Sequence, residues 1–133
     1  MIKNFIVLGV KTNNIDEVTN DLEELLQIKF TKHESSYWGI YNLAKISKSA
    51  DIKLGYNYVD EDWREEEHKD CPLLLELNNL QQSEETMNVI CRKLPYVIPL
   101  TITVIEPDIS LRKYKFIDGE VKLVYEHFFK ERK

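Results

Sequence analysis

"NFIVLGVKTNNIDEVTNDLEELL", residues 4–26, joins the two kinds of secondary structure on which the fold depends. Its first nine residues are rich in branched and aromatic side chains and end before two asparagines, which predicts a central strand. Apolar residues then recur at helical spacing over residues 15–26, and Asn14 with Glu17 forms a capping-box pattern. The stretch therefore predicts a strand followed directly by an amphipathic helix.

The remainder of the chain repeats this order of elements. Strand-like segments follow the helix at residues 30–34, 37–46 and 51–58. A second strand and helix are predicted at "PLLLEL", residues 72–77, and after Ser83 as a helix cap, and they lead to a strand at residues 96–105 and a hairpin at Asp118-Gly119. Pro99 lacks a ladder donor, which predicts an edge position or a bulge for its strand.

These elements predict the fold class. A chain of 133 residues, 43% of them hydrophobic, suits one domain with one core. We expect a single α+β domain over residues 1–133, with two helices packed on a mostly antiparallel mixed sheet in the order βαβββ-βαβββ. Whether the halves share one sheet, and whether the end of the chain continues the hairpin or turns into a helix, stays open.

The negative charge of the chain is concentrated in "VDEDWREEEHKDC", residues 59–71. Seven acids and two bases lie between Asp60 and Asp70, so this segment carries a net charge of −5, equal to that of the whole protein. A pI near 5.3 argues against the clustered positive face that the phosphate backbone of a nucleic acid requires. The basic run of residues 111–133, with a net charge of +3, is explained as a solvated face. We therefore expect no nucleic-acid partner.

No catalytic or cofactor motif stands out. The four glycines are isolated, so neither a Walker loop nor a dinucleotide fingerprint can be written, and the three histidines suggest no convergent metal site. The two cysteines are too few for a disulfide framework, and the N-terminal apolar run is too short to span a bilayer. We expect a cytoplasmic, non-enzymatic protein with no cofactor, no metal and no membrane partner.

The acidic segment and the aromatics near it are the candidate partner-binding surface. A solvated face is the ordinary explanation of such a charge run. The aromatics, however, lie on both faces of the predicted strands, so they cannot all be in the core. Tyrosine and tryptophan mixed with acids suit an interface with a basic partner. The candidate residues are Trp38, Tyr56, Tyr58, Asp60, Glu61, Asp62, Trp63, Glu65, Glu66 and Glu67.

The architecture and "LLQIKFTKHESSYWGIYNL", residues 25–43, resemble the paired βαβββ modules of the glyoxalase and dioxygenase superfamily. That resemblance implies a metal held by His and Glu on the first and last strands of each module. Here the first strand offers neither residue and the fifth offers only Glu76, so the metal would be lost. The corresponding alternative function is a small-molecule binder or metal-dependent enzyme, with a cleft lined by Tyr56, Glu76, Tyr125 and Glu126.

A second resemblance rests on "ESSYWGIYNLAKISKSADIKLGYNYVDEDW", residues 34–63, and "PLLLELNN", residues 72–79. With the small size and acidity of the chain, these stretches resemble immunity proteins of bacterial polymorphic toxin and contact-dependent growth inhibition systems. The resemblance implies binding to a basic toxin domain, often a nuclease, whose active site or nucleic-acid groove is covered. The acids would then stand in for phosphates, and Trp63 would fill a central pocket. The oligomeric state stays open.

Overall fold

Strand β1 lies at the centre of an eight-stranded sheet in the computed structural model, which describes residues 2–129. The described residues also form two α-helices, a short 3-10 helix (Glu66–His68) and a separate two-stranded ribbon. The elements in chain order are β1 (Lys3–Val10), α1 (Ile15–Leu26), β2 (Thr31–Ser35), β3 (Gly39–Lys45), β4 (Asp51–Tyr56), β5 (Tyr58–Val59), β6 (Asp62–Trp63), β7 (Leu73–Asn78), α2 (Ser83–Lys93), β8 (Val97–Glu106), β9 (Ser110–Ile117) and β10 (Glu120–Phe128). The α+β class and the βαβββ-βαβββ order are confirmed, with the ribbon of β5 and β6 inserted between the halves.

The two halves interleave in one sheet. Its strand order is β10-β9-β8-β1-β7-β4-β3-β2, and every neighbouring pair is antiparallel. Strand β1 therefore pairs on both sides with strands of the second half, β7 and β8. The question of one sheet or two is settled in favour of one main sheet.

Both helices cover the same face of the sheet. Alternate residues of the central strands, such as Leu8 and Leu75, point toward the helices and are fully buried. They pack in one core with Leu22 of α1 and Ile90 of α2. The opposite face, here called the helix-free face, carries the other half of each alternation: Val7 on β1, Lys53 on β4, Leu74 and Glu76 on β7, and Lys113 and Lys115 on β9.

The helix starts agree with the sequence in one case of two. Asn14 caps α1 as expected, because its side-chain oxygen accepts from the backbone N–H of Glu17 at 3.1 Å. Ser83 does not cap α2. It is the first helical residue, and the capping position belongs to Gln82, which makes no side-chain cap bond.

Two strand boundaries differ from those predicted by the alternation of apolar and polar residues. The strand predicted at residues 51–58 divides at the buried Asn57, so that β4 ends and β5 leaves for the ribbon. The strand predicted from residue 37 begins at Gly39, whose φ of +68° makes the turn. Pro99 lies in an internal strand beside a bulge, where the β1–β8 register shifts between Val7 and Leu8.

The end of the described chain continues the hairpin. Asp118 and Gly119 have φ of 51° and 80°, as the predicted tight turn requires, and β10 then runs to Phe128. Neither helix in residues 2–129 has the length and apolarity needed to cross a bilayer.

Candidate functional site

Asn57 anchors the acidic loop, residues 58–71, to the end of β4. Its side chain is fully buried. Its Nδ2 lies 2.9 Å from the carbonyl oxygen of Cys71, 3.0 Å from that of His68 and 3.3 Å from that of Glu65, and its Oδ1 accepts from the Glu65 N–H at 2.7 Å. One side chain therefore satisfies backbone groups spread along the loop. These hydrogen bonds give the acidic loop a defined conformation, unlike a loop that contacts only solvent.

The tip of the acidic loop is the ribbon of β5 and β6. Asp60 and Glu61 form its turn with φ of 54° and 63°. Tyr58 and Trp63 face each other across the ribbon, with ring centroids 4.9 Å apart. The exposed carboxylates at the tip are thus held beside an aromatic pair, of which Tyr58 is half exposed.

Arg64 ties the ribbon to the turn between β2 and β3. Its guanidinium carbon lies 4.0 Å from the ring centroid of Tyr37 and 4.3 Å from that of Trp38, and its Nη2 donates to the backbone oxygen of Tyr37. From the sheet below, the Nζ of Lys53 lies 3.0 Å from the Trp38 ring centroid. Cation–π contacts therefore fix the aromatic turn from two directions.

A cavity of about 500 Å³ lies between the acidic loop and the helix-free face. Val7, Leu74 and Glu76 of the central strands form its floor. Residues 36–38 supply one side, and the loop residues Val59, Asp60, Asp62, Trp63, Arg64 and Glu65 supply the rest of the lining. This volume falls within the range of ligand pockets in proteins.

An ion pair lies in the sheet at the cavity floor. The Nζ of Lys53 is 3.8 Å from Oε2 of Glu76, and the two side chains are only 12% and 20% exposed. Burial raises the pKa of the Glu76 carboxyl, which the nearby Lys53 opposes, and burial lowers the pKa of the Lys53 amine. Both shifts mean that burial destabilises each charge more than the attraction of its partner stabilises it.

Part of the acidity of the loop is neutralised within the chain. Glu67 accepts a hydrogen bond from Lys115 of β9 at 2.7 Å, and this bond lowers the pKa of the Glu67 carboxyl. Oδ2 of Asp70 lies 3.9 Å from the Nζ of Lys11. Five carboxylates of the acidic loop form no salt bridge to any residue between positions 2 and 129. Glu65 is half-buried, and the other four are exposed: Asp60, Glu61, Asp62 and Glu66.

The structure brings together most of the residues that the sequence suggested. Trp38, Tyr58 and Trp63 lie around the cavity and the ribbon with the acids at residues 60–62, while Glu65, Glu66 and Glu67 follow on the same loop. Tyr56 is separate. Tyr56 lies two residues after Leu54 on β4, so both side chains point to the same face of the sheet. That face packs against the core under the helices, and Tyr56 is therefore not part of this surface.

Several residues of the site were not singled out from the sequence as partner-binding, among them Lys53, Asn57, Arg64 and Glu76. Lys53 and Glu76 each interrupt an apolar strand at a position that alternation assigns to the face away from the core, which was a usable signal. Asn57 and Arg64 left no such signal, because their roles depend on chain segments that meet only in the folded protein.

The alternative cleft is not assembled. Tyr125 and Glu126 lie on the edge strand β10, and three strands separate them from Glu76 on β7. Glu126 instead forms a hydrogen bond at 2.6 Å with Arg112. Since Tyr56 faces the core, the four residues proposed for that cleft line no common space.

Comparison with known proteins adds no relative. The chain matches no protein-family model, no curated protein and no solved structure.

Proposed function

We propose that this chain is a cytoplasmic, non-enzymatic immunity protein that binds a basic bacterial toxin domain, a nuclease, and neutralises it by stoichiometric occlusion. The observation that carries the proposal is the acidic loop. It is built around Asn57 and presents Asp60, Glu61 and Asp62 beside Tyr58 and Trp63. Anionic and aromatic groups held in one place suit a surface that must cover a phosphate-binding groove.

Preorganisation supports tight binding. A mobile acidic segment would lose conformational entropy when it became ordered on a partner, and this loss would weaken the complex. Here the Asn57 hydrogen bonds and the Arg64 contacts already hold the loop in place. The free energy of the contacts is therefore available for affinity.

The internal ion pairs divide the acids into two groups. Glu67 and Asp70 face Lys115 and Lys11, so they attach the loop to the sheet. The exposed carboxylates of Asp60, Glu61, Asp62 and Glu66 supply the field that attracts a basic surface. Such a field raises the association rate, and its effect falls as salt screens it.

The test is capture of a partner by the tagged protein from its native bacterium, and with the product of the adjacent upstream gene, at low and at high salt. We expect a basic protein bound at one-to-one stoichiometry, with loss of its toxic activity and an association rate that falls steeply with salt. The double variant Asp60→Lys and Asp62→Lys should weaken the complex while the protein stays folded, because exposed acids contribute little to stability.

The matched control carries the same change in charge elsewhere. Glu24 on α1 and Glu120 on β10 are exposed, and the double variant Glu24→Lys and Glu120→Lys alters the net charge equally. It should bind the partner nearly as the unaltered protein does. Equal weakening by both double variants, or an association rate indifferent to salt, would refute the acidic loop as the contact surface.

A further inference from the structure

We propose that the cavity under the acidic loop is a guanidinium site, filled in the complex by an arginine side chain of the partner. This inference rests on the proposed function for the source of the arginine. The chemistry of the site is argued from the cavity alone, and its test needs no partner.

The charge of the lining selects a cation. Four carboxylates, those of Asp60, Asp62, Glu65 and Glu76, line the cavity. They outnumber the two cations beside it, Arg64 in the lining and Lys53, which is paired with Glu76 at the floor. The Arg64 guanidinium is already engaged with Tyr37 and Trp38. An anionic ligand would meet repulsion from the lining, whereas a cation would be attracted.

The aromatic part of the lining also suits a cation. Tyr37 and Trp38 already accept the chain's own cations on their rings, at 4.0 Å for Arg64 over Tyr37 and 3.0 Å for Lys53 over Trp38. Trp63 has only the distant Lys69 amine, 5.7 Å from its centroid. A planar guanidinium can lie against such a ring and still direct its N–H groups sideways to carboxylates.

Glu76 gives the site its inner acceptor. It lies on the central strand β7 at the cavity floor, and its carboxylate accepts no hydrogen bond from the described residues 2–129. Its nearest cation, Lys53, is 3.8 Å away, which is beyond hydrogen-bond distance. A guanidinium has paired donors that match a carboxylate, so it would satisfy Glu76 better than the lysine does.

The two tryptophans make the test direct. The chain contains only Trp38 and Trp63, and both line the cavity, so the intrinsic tryptophan fluorescence of the protein reports on this site. The probe is N-acetylarginine amide, whose only charge is the guanidinium. Titration of the full chain should give a saturable change in fluorescence, weaker with N-acetyllysine amide and absent with the neutral N-acetylglutamine amide.

Substitutions locate the binding. Glu76→Gln should weaken binding of the arginine amide by roughly tenfold or more, because it removes the charged acceptor and keeps its size. Asp62→Asn, on the exposed ribbon, tests the same cavity in a variant whose folding is not at risk. Glu24→Gln on α1 is the matched control and should bind as the unaltered protein does; far-ultraviolet circular dichroism of each variant checks the fold.

The outcomes separate this inference from the proposed function. Arginine amide that binds no better than the neutral amide, or equally well to the Glu76→Gln and Asp62→Asn variants, overturns the guanidinium site even if a toxin is captured. Equal binding of the lysine amide overturns the preference for guanidinium. Saturable binding of arginine amide, lost in these variants, supports the site even if no protein partner is found, and then only the proposed function fails.

Discussion

Asn57 is the residue on which the acidic loop depends most. Its side chain has zero exposure and contacts backbone groups of Glu65, His68 and Cys71, and its own backbone N–H donates to the Pro72 oxygen at 2.9 Å. This amide therefore makes the largest set of hydrogen bonds that hold the loop, beside the Arg64 contacts and the Glu67 and Asp70 ion pairs.

We expect Asn57→Asp to lower the free energy of unfolding by roughly 3 to 4 kcal/mol. The change keeps the size of the side chain but replaces the amide donor with an oxygen that faces backbone carbonyls. Denaturant unfolding measures it. Asn88→Asp, on the exposed face of α2, is the control and should stay within about 0.5 kcal/mol. A small effect at Asn57 would mean that the loop does not need this anchor.

Glu76 should give the protein an unusual dependence of stability on pH. Because burial raises its pKa above 4.5, the folded protein binds this proton more readily than the unfolded chain does. The contribution of Glu76 to the free energy of unfolding is therefore largest below 4.5 and falls as pH rises through the raised pKa. Unfolding measured at several pH values, with Glu76→Gln alongside, should show this fall only when the carboxyl is present.

Glu67 provides a control of opposite sign. The Lys115 hydrogen bond lowers its pKa below 4.5, so its contribution is present above 4.5 and is lost as pH falls through the lowered pKa. The unaltered protein should therefore lose part of its free energy of unfolding as pH falls below 4.5, and Glu67→Gln should not show this part of the loss. The same sign for both variants would contradict the burial of Glu76.

At the scale of elements, strand β1 approaches the end of the acidic loop so closely that only glycine fits. A Cβ on Gly9 would lie 2.5 Å from Sγ of Cys71 and 3.2 Å from Cδ1 of Leu100. Cys71 is fully buried, and burial raises the pKa of its thiol to about 11. The sulfur therefore acts as a small apolar group packed on the backbone of β1.

Gly9→Ala should lower the free energy of unfolding by about 1 to 3 kcal/mol through overpacking. In a Cys71→Ala background the nearest clashing atom is gone, so the cost of Gly9→Ala should be smaller by about 1 kcal/mol. A double-mutant cycle measured by denaturant unfolding gives this coupling. Purely additive effects would show that the sulfur and the glycine do not constrain each other.

The elements themselves could be predicted because their signals are local. The alternation in β4, the helical spacing of Leu22 with its neighbours and the Asp118-Gly119 turn each depend on a few adjacent residues. The break at Asn57 could not be predicted, because the carbonyls that bind its side chain come from residues as far away as Cys71. Alternation is enough to assign Lys53 and Glu76 to the face away from the core, but their pairing requires that β4 and β7 be neighbours.

At the scale of the whole molecule, the order of the strands in the sheet could not be predicted from the sequence. The order of elements is the same for many sheets, and nothing in residues 4–12 states that both neighbours of β1 come from the second half. Such pairings depend on contacts between distant segments. The candidate site inherits this limit, since its floor belongs to β1 and β7 and its cover to the loop between β4 and β7.

The central place of β1 has a consequence for how the protein is made. A ribosome completes β1 first, yet its two neighbours are Leu73–Asn78 and Val97–Glu106. At the usual rates of synthesis, the second neighbour follows the start of the chain by roughly 5 to 20 seconds. During that interval the apolar residues of β1 lack both of the strands that cover its edges in the folded protein. The sheet around β1 is therefore complete only after β8 has been synthesised.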